Sequence, residues 1–102
     1  MTVYQHRASL TVSGGSNNTL TLRVLGGVLG HFIVRARTDT TTFRANLVDE
    51  ASLTILNYGY QRGEVNDTDI HIPVVGRYTI NITNTNPATE TFDVLFTVQE
   101  KG

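Results

Sequence analysis

The sequence contains no cysteine and no tryptophan, and its only lysine is Lys101. Without cysteine, the chain has no disulfides, no thiolate nucleophile and no zinc–sulfur site. Neither sign of charge dominates, since eight basic residues stand against nine acidic residues and the formal net charge is −1. Because no positive excess exists to bind phosphates or anionic lipids, we expect neither nucleic acid nor a membrane surface as a partner.

Long hydrophobic runs are also missing. The most apolar stretch, residues 24–34, is interrupted by three glycines and a histidine, so no segment is predicted to span a bilayer. The first seven residues lack the apolar segment of about 7–15 residues that a secretory signal peptide needs. We therefore expect no signal peptide and synthesis in the cytoplasm.

What the sequence does contain is alternation of apolar and polar residues. With 102 residues, of which 39% are hydrophobic, the chain can form one domain but not two independent cores. Nearly every stretch follows a period of two, which is typical of β-strands and not of helices. The best helical candidate, residues 45–56, lacks a sustained apolar stripe. The clearest apolar row consists of Phe92, Val94, Phe96 and Val98.

Turn residues separate the predicted strands at intervals of about 8–12 residues, a spacing typical of sandwiches and barrels. Gly26 and Gly27 predict a tight reversal, residues 58–63 predict a wide loop, and Pro73 is predicted to end a strand. We predict a single all-β domain over residues 1–102, an antiparallel β-sandwich of about eight strands, jelly-roll or immunoglobulin-like. A small closed barrel is the alternative. Residues 1–7 and 99–102 are predicted contact arms.

Potential metal ligands alternate along one predicted strand. Asp67, Asp69 and His71 share a face, and Glu64 lies nearby in the sequence. The two aspartates could contribute to a hard-cation site such as one for Ca²⁺. Same-face side chains of a strand diverge, however, and a calcium site usually needs a loop that wraps oxygens around the ion. We therefore predict a solvated outer face, with no metal and no cofactor.

The arrangement of candidate nucleophiles and bases does not indicate catalysis. The three histidines are scattered along the chain, and no Gly-x-Ser-x-Gly segment occurs. A domain of this size has little chain left over to form the walls of a deep cleft. We therefore predict that the protein is not an enzyme.

Arginine and tyrosine are the candidate partner-contact residues. A surface that exposes arginine is suited to binding an acidic protein, because guanidinium groups bind carboxylates in pairs of hydrogen bonds. An ordinary solvated surface and turn packing remain the alternatives for these side chains. In addition, Thr2–Arg7 is long enough to add a strand to a neighbouring copy. The predicted contact residues are Arg23, Arg35, Arg37 and Arg44, on the polar sides of three consecutive strands, and Tyr58 and Tyr60, which flank Gly59.

The last quarter of the sequence resembles a known family pattern. Gly76–Thr83 followed by Phe92–Val98 resembles the closing hairpin of bacterial immunoglobulin-like domains and pre-peptidase C-terminal domains. The resemblance implies that Gly76 admits a bend into the strand. It also implies that Tyr78 buries its ring while its hydroxyl group satisfies a backbone group.

As a whole, the chain resembles the small all-β proteins of bacteriophage particles, which are often rich in threonine and asparagine and free of cysteine. This resemblance implies a structural protein of the virion, most of all a capsid cement or decoration protein. Its expected partners are capsid or other virion proteins and further copies of itself. The alternatives are a tail- or fibre-associated virion domain, a carbohydrate- or calcium-binding module of a secreted protein, and an accessory domain of an enzyme.

Overall fold

A computed structural model of the protein describes residues 2–100 and the side chains of residues 3–99. These residues form strands and no helix, and every pair of adjacent strands is antiparallel. The predicted all-β class is therefore confirmed, with seven strands in place of about eight. No helix in the described range could cross a membrane. The strands are β1 (Thr2–Val12), β2 (Asn17–Ala36), β3 (Thr42–Asp49), β4 (Thr54–Arg62), β5 (Glu64–Asp67), β6 (Ile72–Asn84) and β7 (Glu90–Glu100).

The strands hydrogen-bond in the order β1-β7-β2-β6-β3-β4, and β5 pairs with β2. The first part of β2, through Leu29, pairs with β6, while its second part, from Gly27, pairs with β7. The sheet therefore folds into two layers joined by β2. The first layer contains β1, β7, the second part of β2 and β5. The second layer contains the first part of β2 with β6, β3 and β4.

β2 changes layers through irregularities in its register. One shift lies between Val24 and Gly27 and another between Leu29 and His31, and Gly26 has a φ of 132°. An extra residue in one strand bends it while the ladder continues on both sides. The tight reversal predicted at Gly26 and Gly27 is therefore wrong. The glycines form a bulge inside one long strand.

The core lies between the two layers, where the alternating apolar residues of both meet. In the first layer, the row from Phe92 to Val98 is buried, as its alternation predicts. Ile80 and Ile82 face it from the second layer and are fully buried. The rings of Phe43 in β3 and Phe92 in β7 meet edge-to-face, with centroids 5.1 Å apart. Such contacts hold the layers together through an apolar interior.

The two segments that resemble a closing hairpin do not pair with each other. β2 lies between β6 and β7 in the sheet order, so the two strands belong to different layers. Their connection is held by Asn84, which is fully buried and donates to the carbonyls of Val12 at 3.1 Å and Ala88 at 2.8 Å. The hairpin interpretation is thus wrong, although both segments are strands.

The local features implied by that resemblance are present. Gly76 has a φ of 94°, a left-handed conformation that favours glycine. Tyr78 is buried, and its hydroxyl oxygen accepts a hydrogen bond from the backbone N–H of Val75 at 2.9 Å.

Two other local predictions are also wrong. The segment predicted as a wide loop lies mostly in β4, because Thr54–Arg62 is a strand that pairs with β3. Pro73 is the second residue of β6 and does not end a strand. It lies opposite Val28 of β2, before β3 begins to pair with β6 at Tyr78, so its missing N–H interrupts no ladder with β3.

The predicted contact arms lie mainly inside the sheet. Residues 2–7 belong to β1 and pair with β7. Residues 99 and 100 belong to β7, while residues 1, 101 and 102 lie outside the described range.

Candidate functional site

The four predicted arginines lie on two different outer faces. Arg35 and Arg37 lie at the end of β2 and just beyond it, on the first layer, whereas Arg23 and Arg44 lie on the second layer. The split arises because β2 changes layers between Arg23 and Arg35. The structure therefore does not bring these side chains together into one arginine-rich face.

The arginines of the first layer have acidic partners. Arg35 lies 3.3 Å from a carboxylate oxygen of Glu64, and Arg37 lies 3.2 Å from one of Asp93. Ser9 also donates to Asp93, at 2.7 Å. The hydrogen bond from Arg37, and after it the one from Ser9, hold the pKa of Asp93 below its ordinary value. This face is thus a mixed-charge network and not a positive patch.

An open groove of about 640 Å³ runs beside this network, across β1, β7 and β2. Leu95 of β7 lies opposite both Arg7 and Ile33, so the floor is apolar at its centre. Sequence reasoning did not find this groove, because its members come from three distant segments. The groove is lined by Arg7, Ala8, Ser9, Ile33, Arg35, Asp93, Val94 and Leu95.

The arginines of the second layer form no ion pair among the described residues. Arg23 of β2 lies directly opposite Arg77 of β6, and neither forms an ion pair with any described residue. Like charges in directly opposed positions destabilise a sheet. Arg77 was not among the predicted contact residues, although it lies on the polar side of its strand. Only the β2–β6 register shows that the two residues are cross-strand neighbours.

The two tyrosines, predicted to act together, have different surroundings. The Tyr58 ring stacks on buried Phe32 at a centroid distance of 5.5 Å, and its hydroxyl donates to Asp67 at 2.7 Å. Burial, and then this hydrogen bond, raise the pKa of Tyr58 above its ordinary value. Tyr60, by contrast, is 65% exposed. The register shift in β3–β4 places Arg44 opposite the region of Gly59 and Tyr60.

The aspartates considered as weak candidates for a cation site, Asp67 and Asp69, have different surroundings. Asp67 ends β5 and accepts the Tyr58 hydrogen bond, whereas Asp69 lies outside any strand, 3.3 Å from His71. The single continuous strand predicted through these residues is wrong, because residues 68–71 are not in a strand. Within the described residues, no group of three or more acidic or histidine side chains could hold a metal ion.

A second feature missed by the sequence reasoning is an apolar surface beside Arg23 and Arg77. Val28 of β2 lies opposite Pro73 of β6, and both are exposed. Leu25 is 80% exposed and Val75 is 68% exposed. A methyl group of Val75 lies 3.8 Å from the position that a Cβ would take at Gly26, which places it against the β2 bulge. We call Leu25, Val28, Pro73 and Val75 the end patch.

Together these observations define an antiparallel β-sandwich with open outer surfaces. Its structure is similar to that of the Yersinia pseudotuberculosis-derived mitogen, with a TM-score of 0.64, 12% identity and coverage of 97% of this chain and 89% of that one. For the pre-peptidase C-terminal domain of a Bacillus anthracis collagenase, the TM-score is 0.59 at 13% identity, with 87% and 85% covered. A periplasmic inhibitor of g-type lysozyme from Aeromonas hydrophila gives 0.52 at 16% identity, with 95% and 86% covered.

These likenesses establish the fold alone, since identities are low throughout. They include a pre-peptidase C-terminal domain, the family that the β6 and β7 segments resemble. No protein-family model matches the chain, and no curated protein matches its sequence.

Proposed function

We propose that this chain is a non-enzymatic structural protein of a bacteriophage particle, a cement or decoration protein that binds capsid subunits. The observation that carries the proposal is the end patch beside the Arg23–Arg77 pair. Protein interfaces commonly combine an apolar, desolvated centre with a polar rim in which arginine is enriched. In this proposal the protein is made in the host cytoplasm and is carried on the virion.

The end patch supplies the apolar centre. Val28 and Pro73 lie side by side on adjacent strands, and Leu25 and Val75 lie at the neighbouring bulge. Contiguous apolar surface on a small soluble domain marks a contact site more often than an isolated exposed residue does. Both strands are rigid parts of the sandwich, so the patch loses little conformational entropy when a partner covers it.

The Arg23–Arg77 pair supplies the rim and indicates the charge of the partner. The strand register places Arg23 and Arg77 in opposed positions, where like charges repel each other. Carboxylates of a partner would relieve that repulsion and accept paired hydrogen bonds from each guanidinium group. The partner surface that fits is therefore apolar at its centre and acidic at its margin.

The shape of the remaining surface favours a protein partner over a small substrate. The groove across β1, β7 and β2 is open, and so is a second groove; both are lined by strand residues, and the second also by Glu50 and Ser52 of the β3–β4 turn. Small-molecule sites, in contrast, are concave and enclose most of their ligand. A sandwich with open faces fits the role of a rigid spacer between shell subunits.

The proposal is tested by co-sedimentation of the purified protein with unexpanded and expanded empty capsids. These are assembled from the major capsid protein that is encoded nearest to this chain's gene. We expect saturable binding to at least one form. We expect Leu25→Asp combined with Val75→Asp to abolish it, since two carboxylates replace the apolar centre. Leu53→Asp, at an exposed site between β3 and β4, is the matched control and is expected to bind normally.

Parallel measurements separate the alternatives. Thermal unfolding with millimolar Ca²⁺ and binding to a glycan array test the secreted-module hypothesis. The proposal would be overturned if the protein bound neither capsid form but was stabilised by Ca²⁺ or bound a glycan. Binding to purified tails but not to capsids would overturn the cement role and favour a tail-associated one.

A further inference from the structure

The outer edge of β1 is open along most of its length. β1 pairs with β7 over all eleven of its residues, and no other described strand pairs with it. Side chains close only its C-terminal end, where Asn18 donates to the carbonyl of Thr11 and Asn84 to that of Val12, both at 3.1 Å. The open edge therefore extends from Thr2 to Leu10.

This edge lacks most of the usual protection against strand addition. Edge strands are commonly kept from pairing by bulges, prolines, charged side chains, especially lysines, or short length. The edge strand of the other layer, β4, has two register shifts against β3. β1 has an uninterrupted register with β7, contains no proline, glycine or lysine, and carries Arg7 as its one arginine. Its regular backbone is thus a template for another strand.

The side chains at this edge also lack cover. Val3 is 57% exposed and Tyr4 is 46% exposed, although they lie on opposite faces of the strand. The imidazole nitrogen Nε2 of His6 is buried and has no hydrogen-bond partner within the described residues. A strand added along β1 would cover the two apolar side chains and bring new polar groups beside His6.

We propose that this strand is β1 of a second copy, paired antiparallel about a two-fold axis at Gln5. The two first layers then form one continuous sheet across the dimer. In this register Gln5 lies opposite Gln5, Val3 opposite Arg7, and Tyr4 opposite His6 of the second copy. The proposal names a partner for the structural role proposed above, but it can be tested without any capsid.

Charge and polarity make the register self-complementary. Each Arg7 covers a Val3 with its aliphatic stem, and the two Arg7 side chains lie about four residues, roughly 13 Å, apart along the strands. No like charges are directly opposed. The Tyr4 hydroxyl of each copy is a donor on the strand adjacent to the unpartnered His6 nitrogen. A formal net charge of −1 gives little general repulsion between copies.

Sedimentation velocity over a concentration series tests the dimer with charge variants at the axis. Gln5→Lys and Gln5→Glu each place two like charges opposite one another, so each variant alone is expected to dissociate at concentrations where the wild type is dimeric. An equimolar mixture is expected to recover a dimer that contains both variants. Asn57→Lys, at an exposed site on the β4 edge, is the control and is expected to remain dimeric.

Val3 tests the register itself. In the proposed register, Val3→Lys places a positive charge opposite Arg7 at both symmetry-related positions, so the dimer dissociation constant is expected to rise about tenfold. Val3→Glu places a negative charge there and is expected to retain or strengthen the dimer. Equal weakening by both variants, a wild type that is monomeric throughout, or a dimer insensitive to the Gln5 variants would overturn the proposal. Monomeric Gln5 variants that still bind capsids would leave the proposed function intact, so the two proposals fail separately.

Discussion

Glu90 fastens the segment after β2 to the start of β7. One of its carboxylate oxygens accepts hydrogen bonds from the Thr41 hydroxyl at 2.7 Å and the Thr38 backbone N–H at 3.0 Å, and the other accepts from Thr91 N–H at 2.8 Å. Burial by itself would raise the pKa of Glu90, but these hydrogen bonds together outweigh it and hold the pKa below its ordinary value. The ionised form is therefore stabilised by folding.

The sign of this shift predicts acid sensitivity. A carboxyl group with a lowered pKa in the folded state adds stability above its unfolded pKa, and that stability is lost as the pH falls through the folded value. We expect the free energy of unfolding to decrease between about pH 5 and pH 3. Glu90→Gln should lower it by about 1 kcal/mol at pH 7 and reduce its dependence on pH.

Urea unfolding of the variant and the wild type at several pH values measures both effects. The control is Asp39→Asn, because the exposed Asp39 carboxylate accepts no hydrogen bond from the described residues. A Glu90→Gln profile that runs parallel to that of the wild type across this pH range would contradict the assigned role of the charge.

At the scale of elements, alternation predicts strands well, whereas glycine and proline do not predict where strands stop. Gly26 and Gly27 lie within β2, Gly59 lies within β4, and Pro73 lies within β6. These residues are compatible with a turn and also with a bulge or with the unpaired side of a strand. The neighbouring strand decides between them, because ladder hydrogen bonds keep the chain extended through a local irregularity.

The start of β6 shows how one glycine shapes an element. Gly76 has a φ of 94°, and the Glu50 carboxylate occupies the space that a Cβ at this position would need. The same carboxylate accepts a hydrogen bond from the backbone N–H of Arg77 at 2.7 Å. A side chain at Gly76 would therefore conflict with both the backbone conformation and this contact.

We expect Gly76→Ala to lower the free energy of unfolding by about 1–3 kcal/mol, since left-handed backbone strain alone has that cost. Gly59→Ala is the matched control, because a Cβ at Gly59 meets no atom within 4 Å and its φ is not left-handed. Its effect should stay within about 0.5 kcal/mol. Urea unfolding compares the two, and equal losses would contradict the explanation.

For the whole molecule, the strands nearest the two chain ends lie side by side. Thr11 of β1 is directly opposite Thr91 of β7, and their hydroxyl oxygens are 3.1 Å apart across a separation of 80 residues in sequence. Ser9 and Thr83, in contrast, belong to different layers. Because the chain has no cysteine, introduced thiols can be followed without interference.

We expect Thr11→Cys combined with Thr91→Cys to form a disulfide on oxidation. The oxidised form should be more stable than the reduced form by about 2–4 kcal/mol, because the bond closes a long loop in the unfolded chain. Thiol titration and urea unfolding of both forms measure this. Ser9→Cys combined with Thr83→Cys is expected to keep both thiols free. An intramolecular disulfide in this control would contradict the layer assignment.

The sequence by itself determined the all-β class and the buried row from Phe92 to Val98, because alternation is a local property and successive side chains of a pleated strand point to opposite faces. The tertiary structure decided which surface residues are neighbours. The change of layer in β2 separated Arg35 from Arg23, and the strand register placed Arg23 opposite Arg77 and Val75 against the bulge at Gly26. Such neighbours depend on pairing between distant segments, which no short stretch of sequence encodes.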